Sequence, residues 1–442
     1  MKILYSLLAC ALSFAMSACG GSANPQSGAS VSQKPFCDDM RGKVFCGYQG
    51  WYRVPSDGSG LGWEHWETIE EEFEPGKCGI DAWPDVSELD EDEKVPTKFR
   101  HADGSVAYVY TNENAKTVNR HFKWMKDYGI DGVFLQRFAL DVTGGHHQSD
   151  LLLPSNNRVL ENVLKGAENN QRTFAIMYDL TGMGKDNDAN SLQKVKKDWM
   201  ALMDKYKLFD SPSYMRHKGK PVVAIYGIGF GDRRNYTIEE QIDLIDFFKN
   251  DKKYGGCSIV LGVPTYWRTL DKDTISDARV HDMIRSADVL LPWFVGRFGM
   301  AGVENHAKNQ YVPDAKWCRE NNILYMPLAF PGFSWANRYI KRNEKFDKIP
   351  REGGKFFWKQ IYEIKKAGAE TLYVAMFDEM DEATQVFKVT NNPPVGPSRF
   401  LSNAPEDPDF YLRLCQQAGK LLRGEIQPSE NLPIASKSNS AK

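Results

Sequence analysis

The stretch Leu372-Tyr373-Val374-Ala375-Met376-Phe377-Asp378-Glu379-Met380-Asp381-Glu382 runs six apolar residues straight into four carboxylates. An unbroken apolar run is what a parallel strand buried on both faces requires. The acidic residues mark the point where that strand leaves the core. Seven runs of the same character precede it: Val44–Tyr48, Gly132–Arg137, Thr173–Asp179, Pro221–Tyr226, Ser258–Thr265, Val289–Phe294 and Ile323–Phe330. With Leu372–Asp378 they make eight.

Helical stripes alternate with these runs. Val118, Phe122 and Met125 form one, and Leu192, Val195, Trp199 and Leu202 another. Ile238, Ile242 and Ile245 follow the capping box Thr237-Ile238-Glu239-Glu240, which marks a helix start. Phe357, Ile361 and Ile364 give a later face, and Leu412, Cys415 and Leu422 the last. Eight β-then-α units of roughly 30–50 residues predict a single (β/α)8 TIM barrel. The exception is the first connection, Tyr52 to Asn114, a long insertion that is expected to wall the pocket, with Trp83 and Asp85 as its pocket-facing residues.

The rest of the chain frames this barrel. Its 442 residues are 42% apolar and 26% charged, which excludes disorder, coiled coil and collagen. A net charge of −2, from 56 basic and 58 acidic residues, leaves no electrostatic footprint for nucleic acid or an anionic membrane. Lys2 and the apolar run Ile3–Met16 read as a signal sequence over residues 1–18, too short for the ~20 residues that span a bilayer. Ala18-Cys19-Gly20 reads as a bacterial lipoprotein site with Cys19 lipidated, and plain secretion with cleavage after Ala18 is the other reading. Either exports the protein; the lipoprotein reading places it in the periplasm or at the cell surface, with the lipid anchor as its only membrane attachment. Residues 19–35 read as a flexible tether, 36–424 as the barrel and 425–442 as a polar, disordered tail. Of the six barrel cysteines, Cys37 and Cys46 are the one pair singled out for a disulfide. Nothing bears on the oligomeric state.

In a barrel of this kind the chemistry sits at the C-terminal ends of the strands. Those ends read Gln49-Gly50-Trp51-Tyr52, Gln136-Arg137-Phe138, Tyr178-Asp179, Tyr226-Gly227, Tyr266-Trp267-Arg268, Trp293-Phe294 and Phe333-Ser334-Trp335. Aromatics interleaved with hydrogen-bonding groups suit an uncharged polyol such as a sugar: rings stack on its apolar face while carboxylates, Gln and Arg take its hydroxyls. The expected carbohydrate-binding residues are Trp51, Tyr52, Gln136, Arg137, Asp179, Tyr266, Trp267, Arg268, Trp335 and Asp378, with His146 from the loop after the second strand. Gly227-Ile228-Gly229-Phe230-Gly231 matches no phosphate motif, and His146-His147 has no third ligand at metal-site spacing, so neither cofactor nor metal is expected. The four crowded carboxylates Asp378, Glu379, Asp381 and Glu382, with Asp378 and Glu379 placed at the barrel mouth, are the expected seat of catalysis, because glycoside hydrolysis needs one protonated and one ionised carboxyl group.

The segment Asp378–Gln385 resembles the signature Asn-Glu-Trp-His-Glu-Gly-Thr-Gln of glycoside hydrolase family 99, the endo-α-mannosidases, and of its relatives in family 71. It matches at Glu379, Glu382, Thr384 and Gln385. The likeness extends to Gly47-Tyr48-Gln49-Gly50-Trp51-Tyr52, to Gly129-Ile130-Asp131-Gly132-Val133 and to the eight-unit layout. The chain is also similar to bacterial proteins labelled xylosidase/arabinosidase. The resemblance implies a retaining reaction in which Glu379 takes the proton of the sugar 2-hydroxyl. That oxygen then attacks C1 to give a 1,2-anhydro sugar. Glu382 would protonate the leaving oxygen and then activate water. Asp378, Met380, Asp381 and Ala383 depart from the signature, and an added charge beside each Glu is expected to raise its pKa. Hydrolysis of α-glucans or of xylose- and arabinose-containing glycans, and a non-catalytic glycan-binding lipoprotein, remain the alternatives.

Overall fold

The computed structural model describes residues 34–183, 191–232, 234 and 236–435. The signal, Cys19 and most of the tether lie outside them. The strands are β1 (Val44–Tyr48), β2 (Val95–Arg100), β3 (Val106–Val109), β4 (Gly132–Phe138), β5 (Thr173–Asp179), β6 (Arg216–His217), β7 (Lys220–Tyr226), β8 (Ser258–Val263), β9 (Val289–Pro292), β10 (Leu324–Tyr325), β11 (Leu328–Ala329) and β12 (Leu372–Val374). The helices are α1 (Ala115–Asp127), α2 (Ala139–Val142), α3 (Ser149–Asn170), α4 (Ser191–Tyr206), α5 (Ile238–Asn250), α6 (Arg279–Arg285), α7 (Val303–His306), α8 (Val312–Glu320), α9 (Lys355–Lys366) and α10 (Phe410–Leu422).

Parallel pairing runs β12-β1-β4-β5-β7-β8-β9-β10, while β11 pairs with β12. β10 and β11 are two halves of one strand. The first half bonds to β9 through Met326 N–H and Leu290 O (2.9 Å), and the second to β12 through Tyr373 N–H and Pro327 O (3.0 Å). Pro327 interrupts the ladder because it has no N–H, yet its carbonyl still accepts. The eight strands therefore close into a (β/α)8 barrel, each followed in turn by α1, α3, α4, α5, α6, α8, α9 or α10. All seven residues of β5 and all six of β8 are buried, as two-sided burial demands.

The helix stripes pack inward as their spacing predicts, with one exception. Ile242 is 44% exposed, and Gln241 takes the inner position instead. Its side chain accepts from Gly229 N–H, a backbone group that an isoleucine would leave bare, and donates to Thr237 O. The capping box at Thr237 and Glu240 forms as expected.

Three further expectations are corrected. All six cysteines are unpaired and buried: Cys37 Sγ donates to Asp39 O and Arg216 O, while Cys46 sits inside β1. The tail is packed as far as residue 435, because Ile426, Leu432 and Ile434 cover the core and Trp358 Nε1–H donates to Ser429 O (2.9 Å). In the long insertion, Trp83 is buried among Phe73, Phe99 and Phe400 rather than facing the pocket, and Asp85 caps Ser87 N–H.

That insertion folds as the β2–β3 hairpin plus loops laced onto the segment after β12. Asp81 N–H donates to Met380 O (3.0 Å), Leu401 N–H to Asp81 O (2.8 Å) and Thr390 N–H to Trp83 O (3.1 Å). The Asp81 carboxylate also accepts from Ser334 Oγ–H and from the N–H groups of Ala336 and Asn337 (2.8 Å each). Burial lifts its pKa while those donors pull it back. One buried carboxylate thus fixes the loop after β11 against the insertion.

Arg137 is turned away from the barrel axis. Alternation along β4 sends Gln136 inward and Arg137 outward, where it grips Asp198 of α4 through two bonds of 2.6 Å. The Tyr178 hydroxyl donates to the same carboxylate (2.6 Å). Breaking a buried pair by removing one partner costs about 3–5 kcal/mol. Arg137→Met should therefore lower unfolding free energy by about that amount in a denaturant titration. Adding Asp198→Leu should recover part of the loss, because no uncompensated charge then remains.

Candidate active site

A cavity of about 470 Å³ opens at the C-terminal ends of the barrel strands, and the acidic loop after β12 forms one side of it. The loop is a tight turn. Met376 N–H donates to Thr384 O, Thr384 N–H to Glu379 O, and Phe387 N–H to Phe377 O. Ala383 takes the left-handed conformation (φ 53°) where the family 99 signature carries glycine. Arg351 stabilises this turn from behind, donating to Ala383 O and Gln385 O (2.9 Å each).

The four carboxylates of the loop meet different fates. Asp378 is fully buried and accepts the N–H groups of Gln49 (2.7 Å) and Gly50 (2.9 Å). Burial pushes it up to about 7 against the pull of those two donors. It holds the end of β1 in place and does not line the cavity. Asp381, 2% exposed, is met by Arg338 Nη1 and His65 Nδ1 at 3.1 Å each.

Glu379 and Glu382 both line the cavity. Glu379 accepts from Gln49 Nε2–H (2.7 Å) and Thr384 Oγ1–H (2.5 Å). Burial first, and then the charges of Glu382 and Asp381, raise its pKa well above the usual carboxylate range. Glu382 is half-buried. Burial and Asp381 push it up to about 7, and Arg338 pulls the other way. The raised values belong to the pair: once one carboxyl ionises, its charge holds the proton on the other.

Of the residues expected to bind carbohydrate, Trp51, Gln136 and Asp179 line this cavity. Trp51 stacks on His65 with ring centroids 3.6 Å apart and planes 5° from parallel. Gln136 Nε2–H donates to Tyr373 Oη (3.2 Å), and Asp179 accepts from Thr181 N–H (2.7 Å). The others fall elsewhere. Tyr52 is buried with its hydroxyl accepting Met380 N–H (2.7 Å), so it positions the acidic loop. Arg137 belongs to the outer pair with Asp198, and Asp378 to the β1 clamp. Trp267 is wholly buried against Trp317, and Arg268 pairs with Asp314 (2.9 Å). Tyr266 sits beneath Lys272. His146 accepts from Gln148 N–H in its own loop. Trp335 meets Phe333 and Tyr339 edge-on, 5.0 Å from each, and leaves Tyr339 at the cavity.

Sequence reasoning missed His65, Asp141, Arg338 and Tyr339, all of which line the cavity. His65, Arg338 and Tyr339 come from loops that carry no periodic pattern, and Asp141 from α2, a single turn too short to show one. Among the described residues, Asp90, Asp92 and Glu93 converge closely enough to hold an ion, but Lys116 and Arg120 already pair with them.

No protein-family model matches the sequence, and no curated protein matches it. Solved structures do share its fold. The family 99 endo-α-mannosidase of Bacteroides thetaiotaomicron, in complex with bis-tris-propane, superposes with a TM-score of 0.62 at 16% identity, covering 88% of this chain and 98% of that one. A second structure of the endo-α-mannosidase from that organism gives a TM-score of 0.59 at 17% identity, covering 87% and 98%. The resemblance read from the eighth strand is thus matched, over most of the chain, by a common (β/α)8 fold.

Proposed function

We propose that this protein is a glycoside hydrolase acting on a neutral glycan, with Glu379 and Glu382 as its catalytic pair. The observation that carries this reading is two mutually interacting carboxyl groups with raised pKa values, side by side in a cavity at the barrel mouth. The cavity also offers the aromatic surface of Trp51 and the hydrogen-bonding groups Gln136 and Asp179 to a sugar ring.

The working state of such a pair holds one proton. In the empty cavity, burial keeps that proton on Glu379. A sugar hydroxyl donating to Glu379 would add a third donor to Gln49 and Thr384 and draw the negative charge there. The proton then resides on Glu382, which accepts no side-chain donor among the described residues and faces the cavity where the leaving oxygen would sit. In the retaining scheme, Glu379 takes the 2-hydroxyl proton as that oxygen closes on C1, and Glu382 protonates the departing oxygen. Glu382 afterwards takes a proton from the water that attacks C1, the C1–O2 bond breaks, and Glu379 returns its proton to O2, so that the 2-hydroxyl and both starting protonation states are restored. We further propose an endo-α-mannosidase-like linkage preference, and export with a lipid on Cys19, the latter from the N-terminal motif alone.

The test is product analysis on α-mannans, α-glucans and arabinoxylans with wild type and Glu382→Gln in parallel. Wild type should release sugar, and Glu382→Gln should lose about 10²–10⁴-fold in kcat/KM while glycan affinity stays within a few-fold. Equal binding by both proteins with no release by either would make the barrel a glycan-binding module instead. The pH dependence has a definite sign. Below about 7 both carboxyls are protonated and no base is present. Wild-type kcat/KM should therefore rise with pH through about 7 and stay high until the second proton is lost.

A further inference from the structure

Asp381 lies between the two catalytic candidates in sequence and at their side in space, and its charge raises both of them. An unbalanced carboxylate there would keep Glu379 and Glu382 both protonated at neutral pH, leaving the site without a base. The chain carries a remedy supplied by two other loops. Arg338, from the loop after β11, brings a guanidinium nitrogen to 3.1 Å of Asp381 Oδ2. His65, from the first insertion, brings Nδ1 to 3.1 Å of the same oxygen.

We infer that Arg338 is the counter-charge that balances Asp381 beside the Glu379–Glu382 pair, with His65 orienting the Asp381 carboxylate it answers. The inference rests on the glycosidase reading for its consequence in catalysis, though not for its electrostatics. Both are positioning residues: Arg338 offsets the charge that Asp381 imposes on Glu382, and His65 acts through Asp381.

The surroundings support this division. Asp381 is 2% exposed and Arg338 23%, so their attraction is only weakly screened by water. The His65 ring is held neutral by burial and by the neighbouring Arg338 charge, and it stacks on Trp51. It therefore contributes a hydrogen bond and a fixed position rather than a charge. The other charged groups on this side are acidic: Glu64 and Glu67 of the insertion, with Glu67 lifted to about 7 by burial and by its acidic neighbours. Asp81 also feels Asp381. Asp378 is occupied by two backbone N–H groups. Against this acidic background, Arg338 is the cation drawn to Asp381 and the one that lowers Glu382.

The experiment follows the Glu382 carboxyl carbon by NMR in the purified protein labelled with ¹³C-glutamate, its signal assigned by loss in Glu382→Gln. Arg338→Met should move the titration midpoint up by about one pH unit or more, because Asp381 is then unanswered. Asp381→Asn should move it down by a similar amount, because Arg338 then faces Glu382 alone. The double variant should return to within about half a unit of wild type, and Arg338→Lys should stay near it. In an active enzyme the limb of kcat/KM near pH 7 should move with these midpoints. Shifts of the same sign in Arg338→Met and Asp381→Asn, or none in either while their thermal unfolding stays cooperative, would overturn the inference. If Arg338→Met does not fold, Asp381→Asn and Arg338→Lys decide it: the first must move the midpoint down and the second must leave it in place. Absence of hydrolysis by wild type would defeat the proposed function but leave these midpoints readable.

Discussion

Four carboxylates packed into five consecutive residues cannot sit inside a barrel mouth unless each is answered by donors or a cation, since an isolated buried charge costs several kcal/mol. Much of the architecture around the loop after β12 follows from that constraint. Asp378 takes two backbone N–H groups at the end of β1. Asp381 takes Arg338 from one loop and His65 from another. Glu379 takes Gln49 and Thr384. The Glu382 carboxylate alone accepts from no donor, backbone or side-chain, among the described residues, and it is the member that reaches the cavity with a near-neutral pKa. The acidic loop is therefore the point at which β1, the first insertion and the loop after β11 are tied together. The Asp81 carboxylate repeats the device one step further out, where it holds Ser334, Ala336 and Asn337.

The barrel was legible in the sequence because a parallel strand buried on both faces leaves a one-dimensional record, and eight such records in order admit few folds. Where the reading was imperfect, a local chemical reason is at hand. Pro327 splits the seventh strand because it has no N–H to give. The eighth ladder stops at Val374, short of the expected Asp378, because Met376 and Phe377 bond to Thr384, Gly47 and Phe387 to shape the acidic loop. That the acidic segment would stand at the barrel mouth was legible because it follows a buried run directly, and the signature match then singled out Glu379 and Glu382, both of which line the cavity. Arg137 was not, because at a strand end a shift of one residue decides between cavity and outer layer, and Gln136 is the one that faces in. Tyr266, Trp267 and Arg268 failed for a similar reason: they follow Pro264, where β8 has already ended. His65 and Arg338 left no signal at all, since their positions depend on how two long loops pack against each other.

The departures from the family 99 signature read differently once the geometry is known. Asp378 stands where the signature has Asn, and both of its oxygens accept N–H groups. An amide would present an NH₂ to one of those donors. Ala383 stands in place of glycine in a left-handed conformation that costs an L-residue about 1–2 kcal/mol. Arg351, bonded to the carbonyls on either side of Thr384, offsets that cost. Asp381 stands in place of His, and an imidazole nevertheless arrives beside it from His65 in the insertion. Three of the four substitutions that weaken the likeness in sequence are therefore each matched by a partner elsewhere in the chain.

This bears on how the pair of glutamates can work. An acid and a base made from identical side chains must be made unequal by their surroundings, or they titrate together and neither role is filled. Here the inequality has two sources. Fixed donors from Gln49 and Thr384 give Glu379 one defined orientation, while Glu382 keeps a lone face toward the cavity. Burial and mutual repulsion raise both carboxyls, so that once one ionises its charge favours keeping the proton on the other. The pH of that first ionisation is set by Asp381, and Asp381 in turn is set by Arg338. Conversion between one-proton and two-proton forms is thus governed by a cation in a different loop, about forty residues upstream of the pair. The insertion and the loop after β11 contribute to function by fixing that charge balance, beyond walling the cavity.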